Sequence, residues 1–413
     1  MIILYFLAEN SGPAHGAALG QDELTFVKQT LGFDLDKKFH VPDEVYKFFA
    51  DVPKKGAELE RAWNERMAKY AEAHPEAYAE LQGRLTGNLP NGWRDLLPAK
   101  ADLGAAKKPE ATRKSHGAVL SALAPVYKNF VAGSADLLES TFVNFPGMTE
   151  FQNPSTGLGD YAGRQIRYGI REFAMVALAN GMAAWHKGTF IPVCSTFFMF
   201  WLYAAPAARM SALQGLRLIG IATHDSIGIG EDGPTHQPIA LASFFRNLPN
   251  FNYIRPADAE EVVGAYELAL SEENASTPSL LSLSRQAVPL LPGSDRAGVA
   301  KGAYVIHSTG DAASPDLTIV STGSEVWRCV EAAKKLAGSV GSVNVVSMPS
   351  QEHFDRQSRE YRRSILPSHK SLVVAVEPYA SDRWPKYAHA SLSMYVLGAL
   401  LSRALDAFAD SPS

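Results

Sequence analysis

Short apolar runs alternate with helix-like stretches along the chain from about residue 113 onward. The apolar runs span 188–198, 216–223 and 279–284, and the helix-like stretches span 171–185, 203–213 and 259–270. Continuous apolar strands separated by helices predict a parallel sheet that is covered by helices on both faces. Asp258 precedes the last of these helices and Glu261 follows three residues on, which is the pattern of a capping box at a helix start.

The same alternation begins again after residue 301 and predicts a second α/β domain. The predicted strands span 317–321, 343–347 and 371–376, and a helix at 325–336 lies between the first two. The fold class is therefore α/β with two doubly wound domains, one over 107–300 and a smaller one over 313–413.

Residues 1–106 have a different texture and predict a mostly helical connector. The stretch 58–85 is dense in Ala, Glu, Arg and Lys and is interrupted by Pro75, which predicts two surface helices. The stretch 98–112 is rich in Ala, Lys and Pro and is interpreted as a linker.

Charge and composition exclude several classes of protein. The 413 residues carry 39 Lys and Arg against 43 Asp and Glu, so there is no net field that would favour nucleic acid or an anionic membrane. No stretch approaches the roughly 20 apolar residues that cross a bilayer. The two cysteines have neither metal-type nor disulfide spacing, which favours a reducing compartment and a cytoplasmic location.

The richest polar segment follows the predicted strand 216–223. It reads Thr-His-Asp-Ser-Ile-Gly-Ile-Gly-Glu-Asp-Gly-Pro-Thr-His over 223–236. In an open α/β sheet, ligands bind beyond the carboxyl ends of the strands, so a loop with two His and three carboxylates there predicts a binding or proton-transfer site. Two alternatives stay open: a polar surface loop, and a metal site built from His224, Asp225, Glu231, Asp232 and His236.

Glu172 stands where the chain enters the apolar helix 173–184. A carboxylate at a helix start is favourable with the helix dipole, and this structural explanation alone would suffice. The apolar surroundings favour a function, because a buried carboxyl group can hold or share a proton with a ligand nitrogen.

Two further signals are weak by themselves. Five aromatic residues lie within 195–203, a density that is more often core than cofactor platform. The segments 133–136 and 284–285 each end a predicted strand, where substrate contacts or simple turns are both expected.

Together these segments resemble the transketolase family. The matching motifs run from Ala-His-Gly-Ala at 14–17 to Tyr-Ala-His at 387–389, and the strings 223–237 and 163–175 are close to family signatures. The resemblance implies transfer of a two-carbon ketol unit from a ketose phosphate to an aldehyde through thiamine diphosphate. It also implies that 107–300 is the pyrimidine-binding domain and that the region from 313 is the C-terminal domain.

The resemblance assigns cofactor roles by position. Glu172 matches the glutamate that hydrogen-bonds the aminopyrimidine and promotes the imino tautomer that deprotonates the thiazolium carbon. Phe200 matches the aromatic residue that stacks on the pyrimidine, with Phe197 and Tyr203 expected in the same pocket. His15 matches a histidine near cofactor and substrate.

The resemblance also assigns substrate roles. His224 and His236 match catalytic histidines that face the substrate carbonyl and hydroxyl groups, and Asp232 matches a carboxylate that reads a substrate hydroxyl. The residues that match the sugar-phosphate grip are Arg113, Ser140 and Arg285. Asp136 matches the acid that ends the Gly-Ser-Ala-Asp strand. Within the family, 195–206 and 357–363 look more like dihydroxyacetone synthase, whose acceptor is formaldehyde.

The sequence departs from the family pattern in three places. It contains no Gly-Asp-Gly, so we expect the diphosphate-binding domain, with its Mg²⁺ ligands, to be missing. The chain would then need a homodimer or a partner chain that supplies this domain; otherwise it is a non-catalytic remnant. Phe173 stands where many members have His. The match fades after Ser391, so the C-terminal domain is expected to be incomplete. An unrelated metal-dependent hydrolase is the third hypothesis.

Overall fold

A computed structural model describes residues 16, 18–87, 89, 91–186, 188–380 and 383–394. The chain divides into two compact units, residues 1–78 and 79–413. The helices of the first unit contain no buried residue; they are α1 (Gly20–Leu31), α2 (Asp43–Phe49) and α3 (Val52–Ala73). Helix α4 (Pro75–Thr86) follows directly, so the break predicted at Pro75 is confirmed.

Eight strands of the second unit form one sheet in which every neighbouring pair is parallel. The strands are β1 (Phe130–Ser134), β2 (Glu150–Phe151), β3 (Gly159–Asp160), β4 (Gln165–Arg167), β5 (Ile191–Phe197), β6 (Ile219–Thr223), β7 (Asn252–Ile254) and β8 (Ser279–Leu283). Their order is β3-β2-β4-β1-β5-β6-β8-β7. The central strands are buried along their whole length, which explains their unbroken apolar sequence.

Helices cover both faces of this sheet, as the sequence predicts. They are α5 (Thr112–Leu123), α6 (Leu138–Thr141), α7 (Glu172–Trp185), α8 (Trp201–Gln214), α9 (Leu241–Asn247), α10 (Ala259–Leu270) and α11 (Arg296–Ala300). On one face Leu120 of α5 and Val262 of α10 pack against the strands. On the other face Met175 of α7 and Trp201 of α8 form a separate core. Among the described residues, we find no helix with the length and apolar character that a membrane crossing requires.

The second sheet has five strands and is mixed. Its strands are β9 (Tyr304–Ser308), β10 (Leu317–Ser321), β11 (Val343–Ser347), β12 (Leu372–Val376) and β13 (Ala390–Leu392), and its helices are α12 (Val326–Leu336), α13 (Gln351–Asp355) and α14 (Arg359–Ile365). The order is β13-β12-β10-β11-β9, and only β9 runs antiparallel to its neighbour. This first strand precedes the boundary predicted at 313.

The segment 98–112, interpreted from sequence as a linker, packs against the first domain. It forms two short 3₁₀ turns, Lys100–Asp102 and Gly104–Ala106, and buries Leu103 and Ala105. Lys100 donates a hydrogen bond to the carbonyl oxygen of Ser294 at 2.5 Å. This part of the chain is therefore packed against the domain and is not a free linker.

The capping box before α10 forms only in part. Asp258 accepts hydrogen bonds from the backbone N–H groups of Glu260 and Glu261, as predicted. Glu261, however, reaches past the cap and accepts from the N–H of Ala257 at 2.7 Å. Its other oxygen accepts from the hydroxyl groups of Tyr304 and Ser347 in the second sheet. Glu261 is therefore also a link between the two domains.

Candidate functional site

The predicted site residues converge at one edge of the first sheet. His224 follows β6 directly, Asp136 and Arg285 are the second residues after β1 and β8, and Phe197 ends β5. These four strands are consecutive and parallel in the sheet, so their carboxyl ends meet at one edge. The topology therefore collects residues that lie up to about 150 positions apart in sequence.

A cavity of about 400 Å³ opens at this edge. It is lined by Ala135, Asp136, Leu137, Ile170, Glu172, Phe200 and Tyr203. Glu172 is the first residue of α7 and is buried, while the ring of Tyr203 is mostly exposed. The wall is thus aromatic and aliphatic, with the buried carboxyl group of Glu172 and the exposed carboxyl group of Asp136.

Phe200 connects this cavity to the polar loop. Its ring lies 5.2 Å from the imidazole of His236, edge to face, and 6.4 Å from the ring of Tyr203. Phe197, which the sequence predicts in the same pocket, is not among the residues that line the cavity but lies next to it. It is buried, and its ring stacks on that of Phe200 with centroids 5.9 Å apart.

His224 is buried and packs face to face on Phe197, with ring centroids 3.6 Å apart. The Thr223 hydroxyl lies 2.9 Å from Nδ1, and Oδ2 of Asp232 lies 3.6 Å from Nε2. Burial lowers the pKa of His224 to about 3, and the nearby positive charges of Arg113 and Arg285 add to this effect. The imidazole is therefore neutral at physiological pH and can exchange a hydrogen bond with a carbonyl or hydroxyl group.

Two guanidinium groups lie beside this histidine. Arg113 donates from Nη1 to the carbonyl oxygen of Ser140 at 2.7 Å, and its buried Nε has no hydrogen-bond partner among the described residues. Arg285 donates to Glu231 at 2.6 Å and lies 3.9 Å from Asp232. Burial lowers the pKa of Arg113, and the charge of Arg285 lowers it further. An anion bound between the two would relieve their repulsion.

The metal-site alternative gains no support from this geometry. Three of the five residues that it needs contact separate partners: Asp225 pairs with Arg255, Glu231 pairs with Arg285, and His224 packs on Phe197. Throughout the part of the chain that the structure describes, no group of three His, Cys, Asp or Glu residues could hold a metal ion.

The sequence did not identify the residues that bind Asp225 of this loop. Asp225 is fully buried and binds the guanidinium of Arg255, and its carbonyl oxygen accepts a hydrogen bond from the hydroxyl of Tyr379. An arginine directly after the apolar end of β7 was the available signal, because a buried cation requires an anionic partner. His15 lies outside the described residues.

Three family models match the chain. The transketolase pyrimidine-binding domain matches residues 108–290, the transketolase-like C-terminal domain matches 302–403, and the transketolase thiamine diphosphate-binding domain matches 5–90. The last match corrects one expectation, since the chain carries sequence of the diphosphate-binding domain. The second extends past Ser391, where the sequence alone showed the resemblance to fade.

Individual proteins are similar over nearly the whole chain. Dihydroxyacetone synthase of Candida boidinii is 46% identical, with 94% of this chain and 55% of that protein covered. The chloroplastic transketolase of Craterostigma plantagineum is 42% identical, with 91% and 70% covered. A crystal structure of a transketolase mutant from Pichia stipitis with xylulose-5-phosphate has a TM-score of 0.86 at 41% identity, with 95% and 57% covered. The chain thus spans little more than half the length of the two yeast proteins.

Proposed function

Because the chain belongs to the transketolase family, we propose that it transfers a two-carbon ketol unit from a ketose phosphate to an aldehyde with thiamine diphosphate as cofactor. One observation carries the proposal: Glu172 and Phe200 line the same cavity. Had the two side chains lain on opposite sides of the sheet, no aminopyrimidine ring could contact both.

The cavity fits the pyrimidine half of the cofactor. An aminopyrimidine is flat and has ring nitrogens along one edge, so it needs an aromatic face and a buried hydrogen-bonding acid. Phe200 and Tyr203 supply the aromatic surface, and Glu172 supplies the acid. When bound, thiamine diphosphate would supply the carbanion-stabilising chemistry that the protein's side chains lack.

Glu172 acts as the group that holds and moves a proton at the pyrimidine. A carboxyl group in an apolar wall makes a strong hydrogen bond to a ring nitrogen, because no water competes for it. Phe200 orients the ring against this acid. Phe173, which follows Glu172, points outward with 53% of its side chain exposed, so the aromatic residue at this position leaves the acid undisturbed.

The substrate lies at the polar side of Phe200. The neutral imidazole of His224 and the ring of His236 face the carbonyl and hydroxyl groups, and Asp232 accepts from a hydroxyl. Arg113 and Arg285 bind the phosphate, and Ser140 fixes the first of them through its backbone carbonyl. The similarity to a dihydroxyacetone synthase favours formaldehyde as the acceptor.

The diphosphate end requires another surface. The residues that line the cavity include two carboxyl groups and no basic side chain, so they do not fit a diphosphate. We propose that Mg²⁺ and a second copy of the chain, whose residues 5–90 match the diphosphate-binding domain, hold that end, or that a longer partner chain of the same family does. Two large apolar side chains that line the cavity, Ile170 and Tyr203, are exposed, and so are Phe173 and Leu202, their near neighbours in sequence, as expected for a protein interface.

We place the protein in the cytoplasm because both cysteines, Cys194 and Cys329, are free and buried. Fluorescence microscopy of a tagged chain tests this location, and an organellar signal would contradict it.

Isothermal titration of the chain with thiamine diphosphate and MgCl₂ tests the cofactor proposal. We expect saturable binding, and Phe200→Ala should weaken it about tenfold, or ~1.4 kcal/mol, because one stacked face is lost. Phe151→Ala is the matched control, since Phe151 is an exposed phenylalanine that lies away from this cavity. Equal effects of the two substitutions would contradict a ring site at Phe200.

Activity is measured with the chain mixed with the separately expressed diphosphate-binding domain of the Candida boidinii relative. Formaldehyde and an aldose phosphate are compared as acceptors, with a ketose phosphate as donor. Glu172→Gln should lower ketol transfer at least about a hundredfold, the scale of lost acid–base catalysis, while Glu139→Gln at an exposed position should not. Transfer that survives Glu172→Gln within about tenfold, ~1.4 kcal/mol of barrier, would exclude Glu172 as the activating acid. Analytical ultracentrifugation gives the oligomeric state.

A further inference from the structure

The loop that carries His224 is held in place by the second sheet. Tyr379, which follows β12, donates a hydrogen bond from its hydroxyl to the carbonyl oxygen of Asp225. Ser324, which follows β10, accepts a hydrogen bond from Gln286 at 2.8 Å, and the same amide nitrogen lies 3.3 Å from Ser226 of the loop. Two strand ends of the second domain therefore reach the residues directly after His224.

Arg255 joins these contacts to a buried set of charges. Its Nε donates to Oδ2 of Asp225 at 2.8 Å, and its Nη1 lies 2.6 Å from Glu325 and 3.4 Å from Glu377. The guanidinium also lies 4.6 Å above the ring of Tyr379. Arginine and tyrosine are both fully buried, so Asp225 is held through its side chain and its backbone carbonyl at once.

His224 needs such support because its backbone is unusual. Its φ angle is +58°, in the left-handed region that residues with a Cβ seldom adopt. Such a conformation persists where surrounding contacts fix it. The contacts on the next residue fix it here, and they direct the imidazole onto the face of Phe197 at the substrate side.

We propose that Tyr379 and Arg255 are positioning residues for His224, so that the C-terminal domain shapes the substrate site from behind. The effect on the substrate site rests on the proposed function, whereas the placement of the imidazole of His224 does not depend on it. The two domains meet elsewhere through Tyr304 and Glu261, a contact that does not involve the loop. This second contact allows a positioning role to be separated from a general role in domain association.

The test compares two tyrosine-to-phenylalanine variants of the full chain. Each removes one buried hydroxyl between the same two domains, but only Tyr379→Phe releases the loop. The readout is the rate at which diethylpyrocarbonate modifies His224 at pH 6.5, followed by peptide mass spectrometry, with the partly exposed His236 as internal reference. Wild-type His224 should react slowly because it is buried, even though its imidazole, which lies among Arg113, Arg285, Asp232 and His236, is neutral and therefore able to attack the reagent.

We expect Tyr379→Phe to raise the His224 rate roughly fivefold, the change in loop opening that one lost hydrogen bond gives. Tyr304→Phe should leave it unchanged. An unchanged rate in a folded Tyr379→Phe variant would overturn the proposal, and so would an equal rise in both variants. If Tyr379→Phe does not fold, Ser324→Ala gives the same test through the Gln286 contact, with the same two outcomes. No cofactor or substrate is present, so this result is independent of the titration that tests the proposed function.

Discussion

Glu261 should make the stability of the protein depend on pH, and Glu261→Gln should remove most of that dependence. The carboxyl group is fully buried at the junction of α10 with the second sheet. Its oxygens accept hydrogen bonds from Tyr304 at 2.7 Å, Ser347 at 2.6 Å and the N–H of Ala257 at 2.7 Å. Burial, and next the charge of Asp258, raise the pKa of Glu261 to about 7 from its ordinary value of 4.5.

The sign follows from proton linkage. The folded chain keeps a proton on Glu261 up to about pH 7, whereas the unfolded chain releases it near pH 4.5. The stability contributed by the protonated group is fully present below pH 4.5 and is lost as the pH rises through 7. With ~1.4 kcal/mol per pKa unit, the free energy of unfolding should fall by about 2–3 kcal/mol between pH 5 and pH 8 from this group alone.

Urea denaturation of wild type and Glu261→Gln at pH 5, 6, 7 and 8 measures this contribution. Glutamine cannot accept from both sides, so the variant carries a constant loss at every pH, and the gap to wild type should narrow by about 2–3 kcal/mol as the pH rises. Glu331→Gln is the control, because Glu331 is exposed and pairs with Lys334. A gap that stays constant within ~0.5 kcal/mol from pH 5 to pH 8 would refute the assignment of a neutral carboxyl group.

Three other substitutions test the same structure. Arg255→Met leaves buried carboxylates without their cation and should lower the free energy of unfolding by about 3–5 kcal/mol in urea at pH 7, with a loss below ~1 kcal/mol as the contrary result. Arg285→Met should weaken binding of a ketose phosphate by about ten- to a hundredfold in calorimetry, since a charge-assisted contact is lost; equal affinity would remove Arg285 from the phosphate site. His224 should contribute a loss of about 2 kcal/mol between pH 7 and pH 5, opposite in sign to the contribution of Glu261, because the pKa of His224 is lowered to about 3 and its stability contribution is lost as the pH falls below 6.5. The difference in stability between wild type and His224→Gln, measured by thermal unfolding at the two pH values, isolates this contribution, and the same change with pH in both proteins would contradict it.

Much of the first domain could be predicted because its strands are buried on both faces. The predicted run 188–198 contains β5 (Ile191–Phe197), and the helix Ala259–Leu270 has the predicted bounds. The antiparallel strand Tyr304–Ser308 was not predicted. It lies at the edge of the second sheet and is only partly buried, and its apolar run is short because it ends at His307.

The candidate site divides in a similar way. Local sequence placed Glu172 at a helix start and His224 after a strand, because helix capping and strand ends depend on near neighbours in the chain. It could not predict that Phe197 stacks on Phe200, since the direction of a side chain at the end of a strand depends on how that end packs. Nor could it pair Arg255 with Glu377, 122 positions away.

The amino-acid sequence by itself determined the order of helices and strands and which polar residues stand at strand ends, since both follow from hydrophobic periodicity and local turn chemistry. Only the tertiary structure decided which strands are neighbours, and therefore which of those ends meet around one cavity. It also decided that charges from the second domain lie behind His224. Such pairings depend on the packing of distant segments, and burial gives each of these charges a partner that no local pattern specifies.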